Sequence, residues 1–142
     1  MLFTEKPASL EWYNQVVGCF VEYEDKILLL CRQEGKREAG KYGLPAGKVD
    51  SWETLLEAMK RETFEETWLH IWLPEYRKVY YVHYPENKIV FHVFRSVLLE
   101  LPEITLHPEE HSCFLFCTPK EALEKPLMQY MPEIISTLYL LP

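Results

Sequence analysis

A chain of 142 residues with 48% apolar side chains can bury one sizeable core, which excludes both a disordered tail and a multidomain assembly. Twenty-two Asp and Glu stand against 15 Lys and Arg, leaving a formal net charge of −7. That sign excludes a default duplex nucleic-acid binder, whose affinity comes largely from neutralised phosphates; a phosphorylated ligand here would need local cations or a metal ion.

The first ten residues contain Glu5, Lys6 and Pro7 and no apolar leader core, and the longest apolar run spans only residues 27–31. A soluble, cytoplasmic protein with no membrane association is therefore expected. Cys19, Cys31, Cys113 and Cys117 form no CxxC pair, so they are read as free thiols and not as zinc ligands.

No internal repeat or low-complexity linker interrupts the chain, and a single domain over residues 1–142 is expected. Residues 16–23 and 26–32 are β-rich and flank Glu24-Asp25, the pattern of a hairpin. A charged stretch, 33–41, leads into Tyr42-Gly43-Leu44-Pro45-Ala46-Gly47, where Gly and Pro predict a loop. Residues 35–42 fit the G-x-x-x-x-G-K of a phosphate-binding loop, but Tyr42 stands where Ser or Thr would hold magnesium, and the following Gly-Leu-Pro cannot open a helix. The segment reads as a solvated basic loop whose neighbourhood (Arg32, Lys36, Arg37 and Lys41) supplies cations for phosphates.

Residues 50–68 lack Gly and Pro and predict the best helix, with Asp50 three places before Glu53 as in a capping box. Residues 77–84 and 88–99 are again β-rich around Pro85-Glu86-Asn87, and 112–117 is a shorter strand. Residues 118–125 and 131–140 read as helices, each with Pro near its first turn. The order is mixed and does not alternate as in a doubly wound parallel sheet.

Projected at about 100° per residue, the 50–68 helix places Leu55, Ala58 and Met59 on an apolar stripe that also receives Glu62 and Glu66, with Glu65 at its edge. Like charges at i and i+4 destabilise a free helix by roughly 0.2–0.5 kcal/mol, and burying them unpaired costs far more. A divalent cation resolves the conflict, since three carboxylates within about a turn offer hard oxygen ligands to Mg²⁺ or Mn²⁺. Arg61 lies beside them and can hold carboxylates in fixed rotamers.

Gly47, Glu53, Arg61-Glu62 and Glu65-Glu66 resemble the Nudix box, G-x5-E-x7-R-E-U-x-E-E-x-G-U with U aliphatic, over residues 47–69 without a gap. Thr63 takes an aliphatic place, a mild change on a helix flank. Trp68 takes the place of a helix-ending glycine, and because a bulky side chain resists positive φ, the helix is expected to exit differently with Trp68 packed on or near the sheet. The resemblance implies an α/β/α sandwich with a mixed β-sheet between helices, and a metal-dependent pyrophosphohydrolase acting on a nucleoside diphosphate linked to another group. It makes Glu62, Glu65, Glu66 and the Ala46 carbonyl the metal ligands, Glu53 the partner that holds Arg61, and Glu53, Arg61, Glu62 and Glu65 the catalytic set around the structural Gly47.

The general base differs among such enzymes, and Glu109 and Glu110, before the 112–117 strand, are placed as distal-loop candidates; their neighbours His107 and His111 read as ordinary loop histidines. Arg32, Lys48 and Glu110 are expected to meet the nucleotide, and aromatic candidates for the base are Phe20, Tyr42, Tyr81, Tyr84 and Phe91. The alternative is a non-catalytic Nudix-fold module that binds nucleotide or protein, toward which only Trp68 points.

Overall fold

Apolar side chains alternate along the central strands and leave both faces of one sheet needing cover. A computed structural model describes residues 1–142. In chain order they form β1 (Leu2–Phe3), β2 (Tyr13–Tyr23), β3 (Lys26–Arg32), β4 (Tyr42–Gly43), β5 (Ala46–Lys48), α1 (Leu55–Thr67), β6 (Glu75–His83), β7 (Lys88–Leu98), β8 (His111–Cys117), α2 (Pro119–Ala122) and α3 (Met131–Leu138). The strands join one sheet in the order β1-β6-β7-β2-β3-β4, with β5 paired to β2 and β8 to β3. Only the β2–β7 pair is parallel, from Tyr13 beside Lys88 to Tyr23 beside Leu98.

On one face Val17, Cys19, Val21, Leu28 and Leu30 pack against Ala58 and Met59 of α1. On the other, Phe20, Ile27, Leu29, Tyr80 and Val82 pack against Ile134, Ile135 and Leu138 of α3. Each such buried aliphatic side chain contributes about 1.5–3 kcal/mol. Helices thus cover both faces, giving the expected α/β/α sandwich with a mixed sheet. No helix is long and apolar enough to cross a membrane. The four cysteines are free, with Cys113 exposed and the others buried.

Local readings needed correction in several places. Tyr42–Gly43 and Ala46–Lys48, expected as loop, are strands because they take rungs on β3 and β2, a tertiary pairing that outweighs their Gly and Pro content. Residues 33–41 fold back as a closed excursion, with Arg32 N donating to Lys41 O at 2.9 Å and Gly40 N to Arg32 O at 3.0 Å, and no helix follows. The main helix starts at Leu55, five residues later than expected. Thr54 is its cap, in a reciprocal box with Glu57 at 3.1 Å in both directions. Asp50 and Glu53 instead close the preceding turn: Glu53 N donates to Asp50 O at 3.0 Å and Asp50 N to the Glu53 carboxylate at 2.9 Å. Thr63 is buried in α1 and does not sit on its flank.

Trp68 does adopt the left-handed conformation, with φ 64° and ψ 16°, and its N–H closes the helix on Phe64 O at 2.8 Å. The helix therefore ends as a glycine would end it. Trp68 is 63% exposed and lies against Phe64, ring centroids 5.4 Å apart, instead of on the sheet. A non-glycine residue in this region costs roughly 1–2 kcal/mol, and an aromatic contact returns about 0.5–1.5 kcal/mol. Trp68→Ala keeps the strain and loses the contact, so Trp68→Gly should be the more stable of the two by about 1 kcal/mol in denaturant unfolding; equal stability would show that the left-handed turn carries no strain.

Candidate active site

Helix α1 and strand β5 meet in a cleft of about 750 Å³ lined by Arg32, Ala46, Gly47, Lys48, Glu62, Glu65, Glu66, His107 and Glu110. The junction is tied by one guanidinium. Arg61 Nε and Nη2 donate to the two oxygens of Glu53 at 2.7 and 2.8 Å, Nη1 donates to Glu62 at 2.8 Å, and Nη2 donates to the Lys48 carbonyl at 3.0 Å. Both Glu65 oxygens lie 3.4 Å from Nη1, and Asp50 is 3.4 Å from Nη2. Glu66 is fixed separately, by the Ala46 N–H at 3.1 Å.

Gly47 is required by proximity. A Cβ at this position would lie 2.1 Å from the Glu62 carboxyl carbon and 2.2 and 2.4 Å from its oxygens. The strand can lie against the metal-ligand candidate only because no side chain intervenes.

The carboxylates divide into two electrostatic classes. The Arg61 hydrogen bond and the Asp50 N–H pull the Glu53 pKa down to about 2. Burial raises Glu62 despite Arg61, and raises Glu66 well above the usual range, with the Glu62 and Glu110 charges adding to the effect and the Ala46 N–H opposing it. As they stand, the side chains are not gathered into a three-ligand cage, because Arg61 holds Glu62 and Glu65 while Ala46 holds Glu66. Glu65 has the freest carboxylate, its side chain being 52% exposed.

Beside the cleft is a cavity of about 140 Å³, mostly apolar, bounded by Phe91 and Tyr84 on the sheet side and by Tyr130 and Ile134 at α3. It shares Arg32, Ala46 and Glu66 with the cleft. Of the aromatic candidates, Tyr84 and Phe91 line it, whereas Phe20, Tyr42 and Tyr81 do not; Phe20 is spent in the core and Tyr81 is buried on a strand position facing away from Tyr80 and Val82. All ten residues proposed from sequence for the site, Arg32, Ala46, Gly47, Lys48, Glu53, Arg61, Glu62, Glu65, Glu66 and Glu110, are brought together at this junction. Glu110 lines the same cleft and forms an ion pair with Lys36 at 3.6 Å.

Three cavity residues with polar side chains escaped the sequence reading. Gln129 and Tyr130 precede α3, some sixty residues beyond the box, and carry no local motif. His111, expected as a loop histidine, is the first residue of β8 and 4% exposed; burial, and then the Arg32 charge, lower its pKa to about 4. Its position next to an apolar β run was the available signal.

The NUDIX domain family model matches residues 12–138. The chain belongs to the Nudix family. Among its relatives, the CTP pyrophosphohydrolase of Escherichia coli (strain K12) is 30% identical over 115 residues, covering 80% of this chain and 82% of that protein. The 8-oxo-dGDP phosphatase NUDT18 of Homo sapiens is 45% identical over 56 residues, 39% of this chain and 17% of that protein. In structure, the MutT protein from Methanosarcina mazei Go1 aligns with a TM-score of 0.80 at 28% identity over 92% of this chain and 96% of that one. The E. coli ORF135 protein aligns with a TM-score of 0.77 at 25% identity, covering 95% and 94%. With this family assignment and a pyrophosphohydrolase among its relatives, the chain is a hydrolase.

Two substitutions probe the junction of this Nudix domain. Gly47→Ala should displace Glu62 and weaken Mn²⁺ binding, measured by calorimetry, while the far-ultraviolet circular dichroism stays unchanged. Arg61→Lys keeps the charge but loses the fork, and a loss of about 10–100-fold in activity or metal affinity is expected; wild-type values in both variants would show that the clamp does not organise the carboxylates.

Proposed function

We propose that this Nudix protein is a divalent-metal-dependent hydrolase that cuts a phosphoanhydride bond of a nucleoside di- or triphosphate. In this reading the base enters the apolar cavity and the phosphate chain lies in the carboxylate cleft. The observation that carries it is that the two spaces adjoin, with Arg32, Ala46 and Glu66 in the walls of both. The donor chemistry suits a hard cation: Glu62 and Glu66 are covered, mutually repelling carboxylates beside a backbone that leaves no room for a Cβ at Gly47.

Mg²⁺ or Mn²⁺ held by Glu62, Glu66, the Ala46 carbonyl and an edge contact to Glu65 would neutralise phosphate charge and acidify the attacking water. The chain's own groups do the rest. Arg61 restrains Glu62 and Glu65 against their mutual repulsion, and Glu53 keeps Arg61 in place. Glu65 is the group we assign to take the water's proton, because it lines the cleft and its contacts to Arg61, at 3.4 Å, are longer than those of Glu53 and Glu62. Arg32 and Lys48 offer positive charge to the phosphates, and Glu110, paired with Lys36, lies near Arg32 at the rim of the cleft. Tyr84 and Phe91 provide flat apolar surface for a base. The binding-only alternative loses its pointer, since Trp68 preserves the turn a glycine would make.

CTP is the first substrate to try, because it appears in the name of the 30%-identical E. coli relative. A panel of nucleoside triphosphates, ADP-ribose, nucleotide sugars and dinucleoside polyphosphates with Mg²⁺ or Mn²⁺ should yield cleavage that excess chelator abolishes. Glu66→Gln should lose about 100-fold or more in kcat/KM; full activity in that variant or in chelator overturns the mechanism.

The same variant carries a stability signature. A carboxyl whose pKa is raised on folding contributes most below its unfolded value near 4.5 and loses that contribution as pH rises through the folded value. Metal-free Glu66→Gln, uncharged throughout, should therefore melt higher than the wild type at pH 8, with the difference shrinking toward pH 4; a variant less stable at pH 8 would show that Glu66 is not held against its charge.

A further inference from the structure

We propose that His111 reads a sugar hydroxyl of the nucleotide that bridges the cavity and the cleft. The assignment rests on the substrate placement given above. His111 pairs in register with Arg32 across β3 and β8, at the shift in that ladder between Cys31 and Arg32. Arg32 is one of the three residues common to the two spaces, so the imidazole sits at their shared end. Its ring borders the cavity, and its Nδ1 is fully covered without a hydrogen-bond partner, the single buried side-chain polar atom of the protein in that condition.

Being covered, Nδ1 cannot itself meet a ligand; Nε2 likewise has no hydrogen-bond partner but is not covered, so it is the ring nitrogen left to face one. The position selects the ligand group. The cavity wall includes Phe91 and Ile134 and suits a base face, while the cleft holds the phosphate-binding charges. In a nucleotide the sugar joins these two parts, so the sugar crosses the shared end. A hydroxyl both donates and accepts, and it therefore serves Nε2 in either tautomer of a neutral imidazole. A phosphate oxygen only accepts, and it has Arg32 and Lys48 at hand.

The test compares the wild type, His111→Phe and His111→Asn in three measurements: kcat and KM with Mg²⁺ for ribonucleoside triphosphates and their 2′,3′-dideoxy counterparts, calorimetric binding of ribonucleoside 5′-monophosphates and their dideoxy counterparts, and melting of the ligand-free protein. Wild type should favour the hydroxylated ligand by about tenfold in binding and in KM. His111→Phe should bind both ligands at the dideoxy level with kcat within about twofold of wild type, and should melt no lower than wild type because the unsatisfied nitrogen is gone. His111→Asn should regain part of the preference. Equal losses for hydroxylated and dideoxy ligands in His111→Phe, or no preference in wild type, overturn the assignment. Hydroxyl-dependent binding of monophosphates without turnover of any triphosphate would uphold His111 while removing the hydrolytic reading.

Discussion

The site depends on Arg61. Three glutamates on one face of α1 repel each other in a chain that is already acidic, and without a fixed cation among them they would spread toward solvent. A lysine could supply the charge but not the planar fork that engages both Glu53 oxygens, Glu62 and the Lys48 carbonyl at once. Through those bonds the guanidinium joins helix to strand. β5 is in turn held by β2, at the centre of the sheet, so the carboxylates inherit the rigidity of the core instead of the mobility of a loop.

Around that clamp the protein applies opposite treatments to chemically identical side chains. Glu53 is given two guanidinium hydrogen bonds and an amide and is kept ionised down to about pH 2. Glu66 receives a single amide and is otherwise desolvated near two other carboxylates. The first environment favours the folded state above the ordinary carboxylate range, and the second opposes it there. Stability is given up at Glu66 and recovered in the two apolar layers, where β2 and β3 send side chains to both faces.

How much of this was legible in the sequence followed the range of the interactions. The box was readable because its residues lie on one helix and the turn before it, where spacing alone decides who meets whom. The helix start was misread because Asp50-x-x-Glu53 and Thr54-x-x-Glu57 both have the pattern of a cap. Glu53 keeps the Asp50 N–H and also takes Arg61, eight residues on, while the cap of the helix falls to Thr54. The strands β4 and β5 have too few residues to show a period, and exist only as rungs on β3 and β2. Trp68 was misjudged for a different reason. Propensity correctly marks it as unsuited to positive φ, but the closing bond to Phe64 O and the tilted ring contact with Phe64 hold it there. The cavity was least legible, since Tyr84 follows β6, Phe91 lies within β7 and Tyr130 caps α3, and only the β6–β7 pairing and the seat of α3 bring them together.

The net charge of −7 and a phosphate-bearing ligand are compatible because the charge is not spread evenly at the site. Glu62, Glu65 and Glu66 come from α1, whereas Arg32 and Lys48 come from strands of the sheet. A polyanion entering alone meets carboxylates whose attraction for it is negative on one side of the cleft and cations on the other, with little net gain over water. Under the proposed function, a polyanion that brings a divalent counter-ion would satisfy both sets of charges, with its metal at the glutamates and its remaining charge at Arg32 and Lys48. In that case the acidic surplus would act as a filter, disfavouring long nucleic acids, which bring many phosphates and need many cations, and admitting a single nucleotide whose few charges one metal and two basic side chains can balance.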